Sequence, residues 1–313
     1  MLNPRLVILA GIALASILAF LFIGLRGNIG FALELRLVRL AALLEVAVAI
    51  AVSTVLFQTV TGNRILTPSI MGLDSLYIFG QLLLIMLIGG IGFATLDARV
   101  KFGGEVLLLM VLSCALLFPI LRMRIDMGLM LLAGVVLGVL FRSLSMLVAR
   151  LIDPNEFAVA QHATFANFNN VDTELLAISA ALTTVGVAVA WRMRHILDVL
   201  LLGRENAIGL GVNWLKSVTG LLMLVAALVS VSTALVGPVA FLGLLVVALA
   251  EKVTGSRRHG LLLPAAMLIA TILLVGGQTL LQHGLGGAST LGIVIEFAGG
   301  LVFLLMLVAG SRK

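Results

Sequence analysis

The chain of 313 residues is a succession of apolar stretches, each long enough to cross a lipid bilayer as a helix. A helix needs about 20 apolar residues to span about 30 Å of hydrocarbon. Charged residues make up only 11% of the chain, whereas an average soluble domain has about 25%. The sequence therefore predicts an all-α, polytopic membrane protein with one transmembrane domain over residues 1–313. We predict ten spanning stretches: 6–25, 39–60, 72–96, 105–121, 128–150, 173–191, 214–234, 238–252, 264–282 and 292–310.

Helices are the spanning structure that fits these stretches. A membrane-spanning β-strand alternates polar and apolar residues, and the run from Leu6 to Leu25 does not alternate. The first stretch is also too long for the apolar part of a secretory signal peptide. Arg26 follows it without a small-residue cleavage pattern, so we expect this stretch to remain as the first spanning helix.

The distribution of positive charge predicts the orientation in the membrane. With ten spans, both ends of the chain lie on one side. If that side is the cytoplasm, thirteen of the twenty Lys and Arg residues lie in cytoplasmic segments. This excess follows the positive-inside rule and places both termini in the cytoplasm, so the basic net charge gives no reason to expect nucleic acid. Six basic residues then lie outside: Arg26, Arg36, Arg39, Arg99, Lys101 and Arg150.

The chain lacks the common sequence motifs of catalysis, nucleotide binding and metal binding. It has no Gly-x-x-x-x-Gly-Lys-Ser/Thr loop, no His-Glu-x-x-His and no paired cysteines. Its single cysteine, Cys114, lies within an apolar stretch and its four histidines are far apart in sequence. We expect no catalytic residue, no metal site and no cofactor bound by this chain.

The longest cytoplasmic connection joins the sixth and seventh stretches, at residues 192–214. Its apolar residues follow a roughly helical spacing that glycines interrupt, which predicts two short helices with a turn at Gly203. Such a segment suits a docking surface for another protein. The alternative is an interfacial connector whose arginines extend to the lipid headgroups.

Four motifs resemble the iron-siderophore and cobalamin family of ABC importer permeases, and they occur in the order of that family. The resemblance covers about residues 35 to 310 and includes the number and orientation of the spans. The motifs are Leu35-Arg36-Leu37-Val38-Arg39; Gln58, Asn63, Pro68 and Gly72; Leu202-Gly203-x-Glu205-x-Ala207-x-x-Leu210-Gly211-Val212; and Gly237-Pro238-Val239-Ala240-Phe241-Leu242-Gly243-Leu244, followed by Gly255-Ser256-x-x-His259.

The resemblance implies the fold of a type II ABC importer permease and a separate ATPase subunit that uses the ATP. Segment 198–212 resembles the coupling helices that dock into such an ATPase. In this interpretation Gly203, Ala207 and Gly211 allow close packing of the short helices, and Arg204 and Glu205 reach the partner. The residues implied in coupling are Leu202, Gly203, Arg204, Glu205, Ala207, Leu210 and Gly211.

On the outer side, Arg36 and Arg39 resemble arginines that dock a solute-binding protein, either periplasmic or a lipoprotein. Charges at the rim of an interface steer the encounter more than they add affinity. Anchoring to membrane lipid headgroups is the alternative for these two arginines.

Departures from the family pattern resemble its ferric siderophore branch, which often carries catecholates. Arg64 stands where the family usually has proline, Ala248-Leu249 replaces Pro-His, and Gln278 and Gln282 replace Asp and Arg. Because that branch commonly pairs two different permeases, the resemblance implies a heterodimer in the cell inner (cytoplasmic) membrane that translocates ferric siderophore.

The charged residues inside predicted spans include Glu45 in the second and Arg142 in the fifth. Because an arginine at mid-bilayer costs about 2.5–3.5 kcal/mol on insertion scales, Arg142 should face protein or water. We predict that Glu45 and Arg142 form a buried pair. The alternative is that Arg142 faces the translocation pathway and meets an anionic iron chelate.

The outer segment 152–170 interleaves phenylalanine with asparagine after several acids. The acids suit a capping region before the sixth span, and the Phe/Asn pattern suits a short re-entrant helix beside a water-filled path. In the related family this is the gate region, whereas an ordinary outer loop is the alternative. With Arg142, the predicted pathway residues are Phe165, Asn167, Phe168 and Asn169.

Two smaller features concern the packing of the spanning helices. Gly134-x-x-x-Gly138 predicts close helix packing, and Glu296 in the last span predicts a helix–helix hydrogen bond.

An ion-coupled secondary transporter of another solute would show repeated halves with broken helices and a midplane ionisable cluster, and we find no repeat. An intramembrane enzyme would place paired His, Asp or Ser residues on facing spans, which the sequence does not show.

Overall fold

The computed structural model describes residues 3–25, 29–122, 127–154, 156, 166–169, 171–284 and 291–310. These residues form helices joined by short connections. The helices are α1 Pro4–Phe22, α2 Ile29–Thr61, α3 Leu73–Thr95, α4 Ala98–Arg122, α5 Met127–Leu151, α6 Thr173–Arg192, α7 Arg194–Leu200, α8 Arg204–Gly209, α9 Trp214–Val236, α10 Leu242–Thr254, α11 His259–Thr271, a π-helical turn Ile272–Gly276, α12 Gly277–Gly284 and α13 Leu291–Gly310.

The ten predicted spans each correspond to a helical segment of the structure. α11, the π-helical turn and α12 follow one another directly and together match the stretch predicted at 264–282. Within the described residues, seven helical segments are both long and apolar enough to cross a membrane: α1, α2, α3, α5, α6, α9 and the α11–α12 segment. The predicted all-α polytopic architecture is confirmed.

Several helices begin at a residue whose side chain accepts a backbone hydrogen bond. Asn3 caps α1 by accepting from the Arg5 N–H at 3.1 Å. Asp172 caps α6 by accepting from the Glu174 N–H at 2.8 Å, which confirms the predicted capping role for this one of the acids before the sixth span. Such caps satisfy N–H groups that the first turn of a helix leaves without a partner.

The second helix is the centre of the molecule. In its apolar window 78% of the residues are buried inside the protein, compared with 17% in α1 and 17% in α5. α2 packs against α6, α9, α10 and α11. α5 lies at the edge, where Val136, Val139 and Leu140 are exposed on its surface.

The helices α3 and α5 form a pair with its own hydrophobic cluster, which includes Leu82, Ile85 and Val148. Two glycines of α5 let the start of α3 approach closely. A Cβ added at Gly72 would lie 2.8 Å from the Gly138 Cα atom, and a Cβ added at Gly134 would overlap Met71. The close packing predicted for Gly134-x-x-x-Gly138 is therefore confirmed.

α3 is interrupted near its outer end. Gly89 has φ 75° and ψ 157°, which breaks the helical backbone. The Gly90 N–H donates to Glu156 Oε1 at 2.8 Å, so a residue that follows α5 satisfies a backbone group at the interruption. The outer segment is thereby attached to α3.

Connections that the charge pattern assigned to the cytoplasm meet at one end of the molecule. Arg5, at the start of α1, donates to the carbonyl oxygens of Val253 and Thr254 at 2.9 Å each. Asp198, between the sixth and seventh spans, bonds to His259 at the start of α11. Because these segments share one end, the chain alternates between two ends as the predicted spans require. The assignment of this end to the cytoplasm stays a prediction from the charge pattern, and we call it the cytoplasmic end.

Candidate translocation cavity and coupling surface

A cavity of about 480 Å³ lies between the start of α3, α5, the segment before α10, and α13. Its wall carries apolar residues of α3 and α5, such as Ile78 and Val139, and a set of polar residues. The polar residues are Ser69, Asp74, Ser75, Arg142, Ser145 and Glu296.

The backbone beside this cavity is irregular at membrane depth. α10 has 13 residues and is therefore about 20 Å long, shorter than the hydrocarbon layer. Lys252 in the last turn of α10 and Arg257 just after the helix lie at the cytoplasmic end. The helix therefore begins within the bilayer. Phe241, just before α10, has φ 59° and lines the cavity. Non-helical backbone at this depth is tolerated where it is buried in protein or lines a water-filled space.

Arg142 and Glu296, although inside spanning helices, are exposed on the surface of the chain beside the cavity. Among the described residues, no ion pair includes Arg142 or Glu296. The Asp74 Oδ2 atom is buried and has no hydrogen-bond partner in the described part of the chain. Charged groups inside a membrane face protein or water, so this side of the molecule does not face lipid. We call Asp74, Arg142 and Glu296 the cavity flank.

The predicted buried pair between Glu45 and Arg142 is wrong. Glu45 points from α2 toward α6, where its Oε1 accepts hydrogen bonds from Ser179 at 2.9 Å and Thr183 at 2.7 Å. Arg142 lies on α5, which packs against α3, and it lines the cavity. Two hydroxyl donors therefore take the place of the predicted guanidinium. The helix–helix hydrogen bond predicted for Glu296 is likewise absent from the bonds of the described residues.

Three of the predicted gate residues, Asn167, Phe168 and Asn169, do not line the cavity. The Asn167 N–H donates to the carbonyl oxygen of Val236 at 2.7 Å, and Asn167 Oδ1 accepts from the Asn169 N–H at 2.9 Å. Phe168 is 4% exposed and belongs to the main hydrophobic core. Phe165, Asn170 and residues 157–164 lie outside the described residues, and the described residues 166–169 of the predicted re-entrant helix are not helical. A pathway role for these residues stays a prediction.

The two short helices predicted between the sixth and seventh spans are present as α7 and α8. Leu197, Leu200 and Ala207 are buried and attach the pair to the core. On the opposite side, Leu202, Ile208 and Leu210 are 54%, 51% and 63% exposed. Arg204 and Glu205 are exposed beside them. An apolar group rimmed by charges is typical of a surface that binds another protein.

The glycines of this segment have a different role from the predicted one. Gly203 has φ 90° and Gly211 has φ 84°, a backbone conformation that L side chains rarely adopt. No described heavy atom lies within 4 Å of a Cβ added at either residue. Close packing therefore applies to Ala207, whereas Gly203 and Gly211 are required by the turns on either side of α8.

The arginine predicted to dock a binding protein has a structural role as well. Arg36 Nη1 donates to the carbonyl oxygens of Phe20, Leu21 and Ile23 at 2.9, 2.9 and 2.8 Å. These oxygens belong to the end of α1, where carbonyl groups lack helical partners and a cation is favoured. Arg39 is half-buried on the same helix. Docking by either arginine stays a prediction.

Sequence reasoning did not foresee the pairings at the cytoplasmic end. Glu251 binds Arg257 at 2.8 Å and Arg64 at 3.6 Å, so the arginine that replaces the usual proline has an acidic partner. Asp198 and His259 bond at 2.7 Å. His259 stood within a recognised motif, but no local pattern identifies Asp198 as its partner.

Helical segments at all ten predicted spans, seven of them long and apolar enough to cross a membrane in the described residues, define a multi-pass membrane protein. The charged cavity and the exposed surface of short helices are typical of a transport protein. A model described as the FecCD transport family matches residues 12–309. The chain belongs to this family, and the resemblance drawn from its motifs is confirmed.

Similar proteins support this assignment. A petrobactin import system permease protein of Bacillus subtilis (strain 168) is 42% identical over 311 residues, covering 99% of this chain and 98% of that protein. Another, from Bacillus anthracis, is 31% identical over 270 residues, covering 86% of this chain and 76% of that protein. A solved structure of a protein assigned as a metal-chelate type ABC transporter, inward-facing, has a TM-score of 0.81. It is 20% identical and covers 97% of this chain and 98% of that one, which shows the shared fold.

Proposed function

We propose that this chain is the permease subunit of an ATP-driven ABC importer that carries a ferric siderophore across the cytoplasmic membrane. The observation that carries the proposal is the cavity flank, because Arg142 and Glu296 are exposed within membrane-spanning helices. The exposed coupling surface and the petrobactin import permeases among the relatives support the choice of an importer. Within the siderophore class, a catecholate is our narrower prediction.

In this proposal the solute passes along the side of the molecule formed by α5 and α13. Both helices carry exposed apolar residues as well as the charged ones, for example Val139 and Phe297. A second permease opposite this side would cover the apolar residues and leave the charged groups facing a shared pathway. We propose that the second permease is a different chain, so that the complex is a heterodimer.

Energy would come from a separate ATPase that binds the surface of α8. Leu202, Ile208 and Leu210 supply the apolar contact, and Arg204 and Glu205 add specificity at the rim. Gly203 and Gly211 fix the orientation of this short helix. This chain then needs no cofactor of its own, and a solute-binding protein delivers the siderophore on the outer side.

The test is purification of the tagged chain from its native membrane in mild detergent, with mass spectrometry of the proteins that accompany it. We expect an ABC-type ATPase and a second, similar permease. An ATPase alone would refute the heterodimer and support a homodimer. If neither accompanies the chain after crosslinking from cysteines placed at residues 203–207, the importer proposal fails and an ion-coupled secondary transporter becomes the better explanation.

A further inference from the structure

Three side chains form a hydrogen-bonded chain between the coupling helices and the centre of the molecule. Asp198 of α7 binds His259 at the start of α11, with Nδ1 at 2.7 Å and the backbone N–H at 2.8 Å from the same Oδ1 atom. On the other side of the ring, His259 Nε2 lies 2.7 Å from Thr59 Oγ1. Thr59 Oγ1 also lies 2.8 Å from the carbonyl oxygen of Val55 in α2. Its single hydrogen bonds to Nε2 when the ring is neutral with its proton on Nδ1, and to the Val55 oxygen when Nε2 carries a proton.

Each member of this chain satisfies a group that would otherwise lack a partner. α11 has no cap from its own preceding residue, because the Arg258 side chain makes no capping bond. Asp198 accepts from the first turn of α11 and places a carboxylate at its positive end, although it belongs to another helix. His259 is completely buried, and both of its ring nitrogens have partners.

The remaining contacts of α7 with the core are apolar. Leu197 and Leu200 are buried against other hydrophobic residues. Apolar contacts are non-directional and allow helices to slide, whereas hydrogen bonds near 2.7 Å fix both distance and direction. A displacement of α7 must therefore either break the bonds of Asp198 or move α11 and α2 with it.

We propose that the chain Asp198–His259–Thr59 transmits movement of the coupling helices to α11 and α2, with His259 as the positioning residue at its centre. This inference rests on the proposed function, since it needs an ATPase that moves α7 and α8. It assigns a transmitting role to a buried histidine that neither lines the cavity nor lies on the exposed coupling surface.

The experiment uses the complete complex, with its ATPases, second permease and binding protein, reconstituted in liposomes. The measured quantity is the amount of radioactive iron, bound to petrobactin, that enters per ATP hydrolysed. His259→Gln keeps an amide near Nε2 and loses the side-chain bond to Asp198, whereas His259→Asn keeps that bond and loses the bond to Thr59. The backbone N–H bond to Asp198 remains in both variants. Asp198→Ala removes the acceptor, and Asp198→Asn keeps an uncharged acceptor at the same place.

We expect His259→Gln, His259→Asn and Asp198→Ala each to lower the iron imported per ATP about tenfold, because a hydrogen bond to a charged or buried partner is lost. Asp198→Asn should restore most of the ratio. The matched control is Ser179→Ala, which removes a buried hydrogen bond to α2 from α6 and should leave the ratio unchanged. Because the imported iron is divided by the ATP hydrolysed, the ratio reports the coupling of ATP hydrolysis to import and does not depend on how much complex assembles.

Thr59→Val keeps the shape of the side chain and tests the far end of the chain if the histidine variants fail to assemble. An unchanged ratio in Thr59→Val or Asp198→Ala would overturn the inference, as would an equal fall in Ser179→Ala. Failure of the proposed function looks different, because the unaltered chain would then bring down no ATPase and import no iron with ATP.

Discussion

Charged residues are paired with one another at the cytoplasmic end and, in the part of the chain that the structure describes, are unpaired at the cavity flank. At the cytoplasmic end, Glu251 binds two arginines and Asp198 binds His259. At the cavity flank, Arg142 and Glu296 are exposed and form no ion pair among the described residues. The first region is complete within one chain, whereas the second presents charges to something outside it.

The difference indicates that the charges at the cytoplasmic end stabilise the chain, whereas those at the cavity flank face a pathway or a partner. Unpaired charges are expensive in a membrane and are found where they face water, a pathway or a partner. Paired charges near the membrane surface contribute modestly to stability, especially when they are exposed. Substitutions in the two regions should therefore change different measured quantities.

The largest effect should come from the cavity flank. Arg142→Gln removes a charge that faces the proposed pathway, and we expect uptake of ferric siderophore to fall about 10- to 100-fold while the complex still assembles. Arg150→Gln is the matched control, because Arg150 is an exposed arginine in the last turn of the same helix. Uptake in proteoliposomes and co-purification of the ATPase measure the two quantities.

Loss of assembly in Arg142→Gln would contradict the comparison. In that case Arg142 would support the fold in the same way as the paired residues of the cytoplasmic end. Normal uptake with normal assembly would exclude the cavity flank from the pathway.

The next largest effect should appear at the cavity wall. Gly72→Ala places a Cβ at φ 89° and within 2.8 Å of the Gly138 Cα atom. We expect a loss of about 2 kcal/mol or more in stability, from backbone strain together with overpacking between α3 and α5. Thermal unfolding in detergent measures the change.

Gly220→Ala is the control for this prediction. Gly220 lies within α9, and no described heavy atom stands within 4 Å of its added Cβ. Alanine at this position should be neutral or stabilising, since it favours the helix. Equal unfolding temperatures for the two variants would disprove the close contact.

A smaller effect should separate two glycines of the coupling segment. Gly203→Ala forces alanine to φ 90°, and we expect about 1–3 kcal/mol of local strain that displaces α8 and weakens ATPase binding. Gly209→Ala, in helical backbone with open space, should bind as the unaltered chain does. Co-purification of the ATPase at increasing salt measures both variants, and equal retention would refute a conformational role for Gly203.

The smallest effect should come from an exposed pair. The Arg64 side chain is 58% exposed and its Nε lies 3.6 Å from Glu251 Oε2, so Arg64→Ala should cost about 1 kcal/mol or less. Arg257→Ala removes a shorter and less exposed contact to the same carboxylate and should cost more. The unfolding midpoints of the two variants provide the comparison, and a larger loss from Arg64→Ala would reverse our ranking of the two pairs.

Much of the architecture could be predicted because hydropathy is a local property. Each run of about 20 apolar residues predicts a helix wherever its neighbours lie, and the charges between the runs set the orientation. The turn at Gly203 and the cap at Asp172 were equally readable, since both depend on residues adjacent in sequence.

The partners of buried polar groups could not be predicted in this way. Glu45 and Arg142 were predicted to pair with each other, yet Glu45 bonds to Ser179, which lies 134 residues further along the chain. Which face of α2 turns toward α6 depends on helix rotation and crossing, and no periodicity in the sequence records that choice. The site at the cavity flank was only partly foreseen for the same reason.

Hydropathy and motifs predicted ten helical segments, the family and the two short helices between the sixth and seventh spans, and the structure and the family match confirm these. The orientation stays a prediction from the charges. The packing of the helices brings Asp74, Arg142 and Glu296 to one cavity and Asp198 to His259, and no pattern in the sequence indicates either arrangement. The physical reason is that insertion into a bilayer depends on the composition of each segment. Side-chain pairing depends on how closely packed helices are placed against one another.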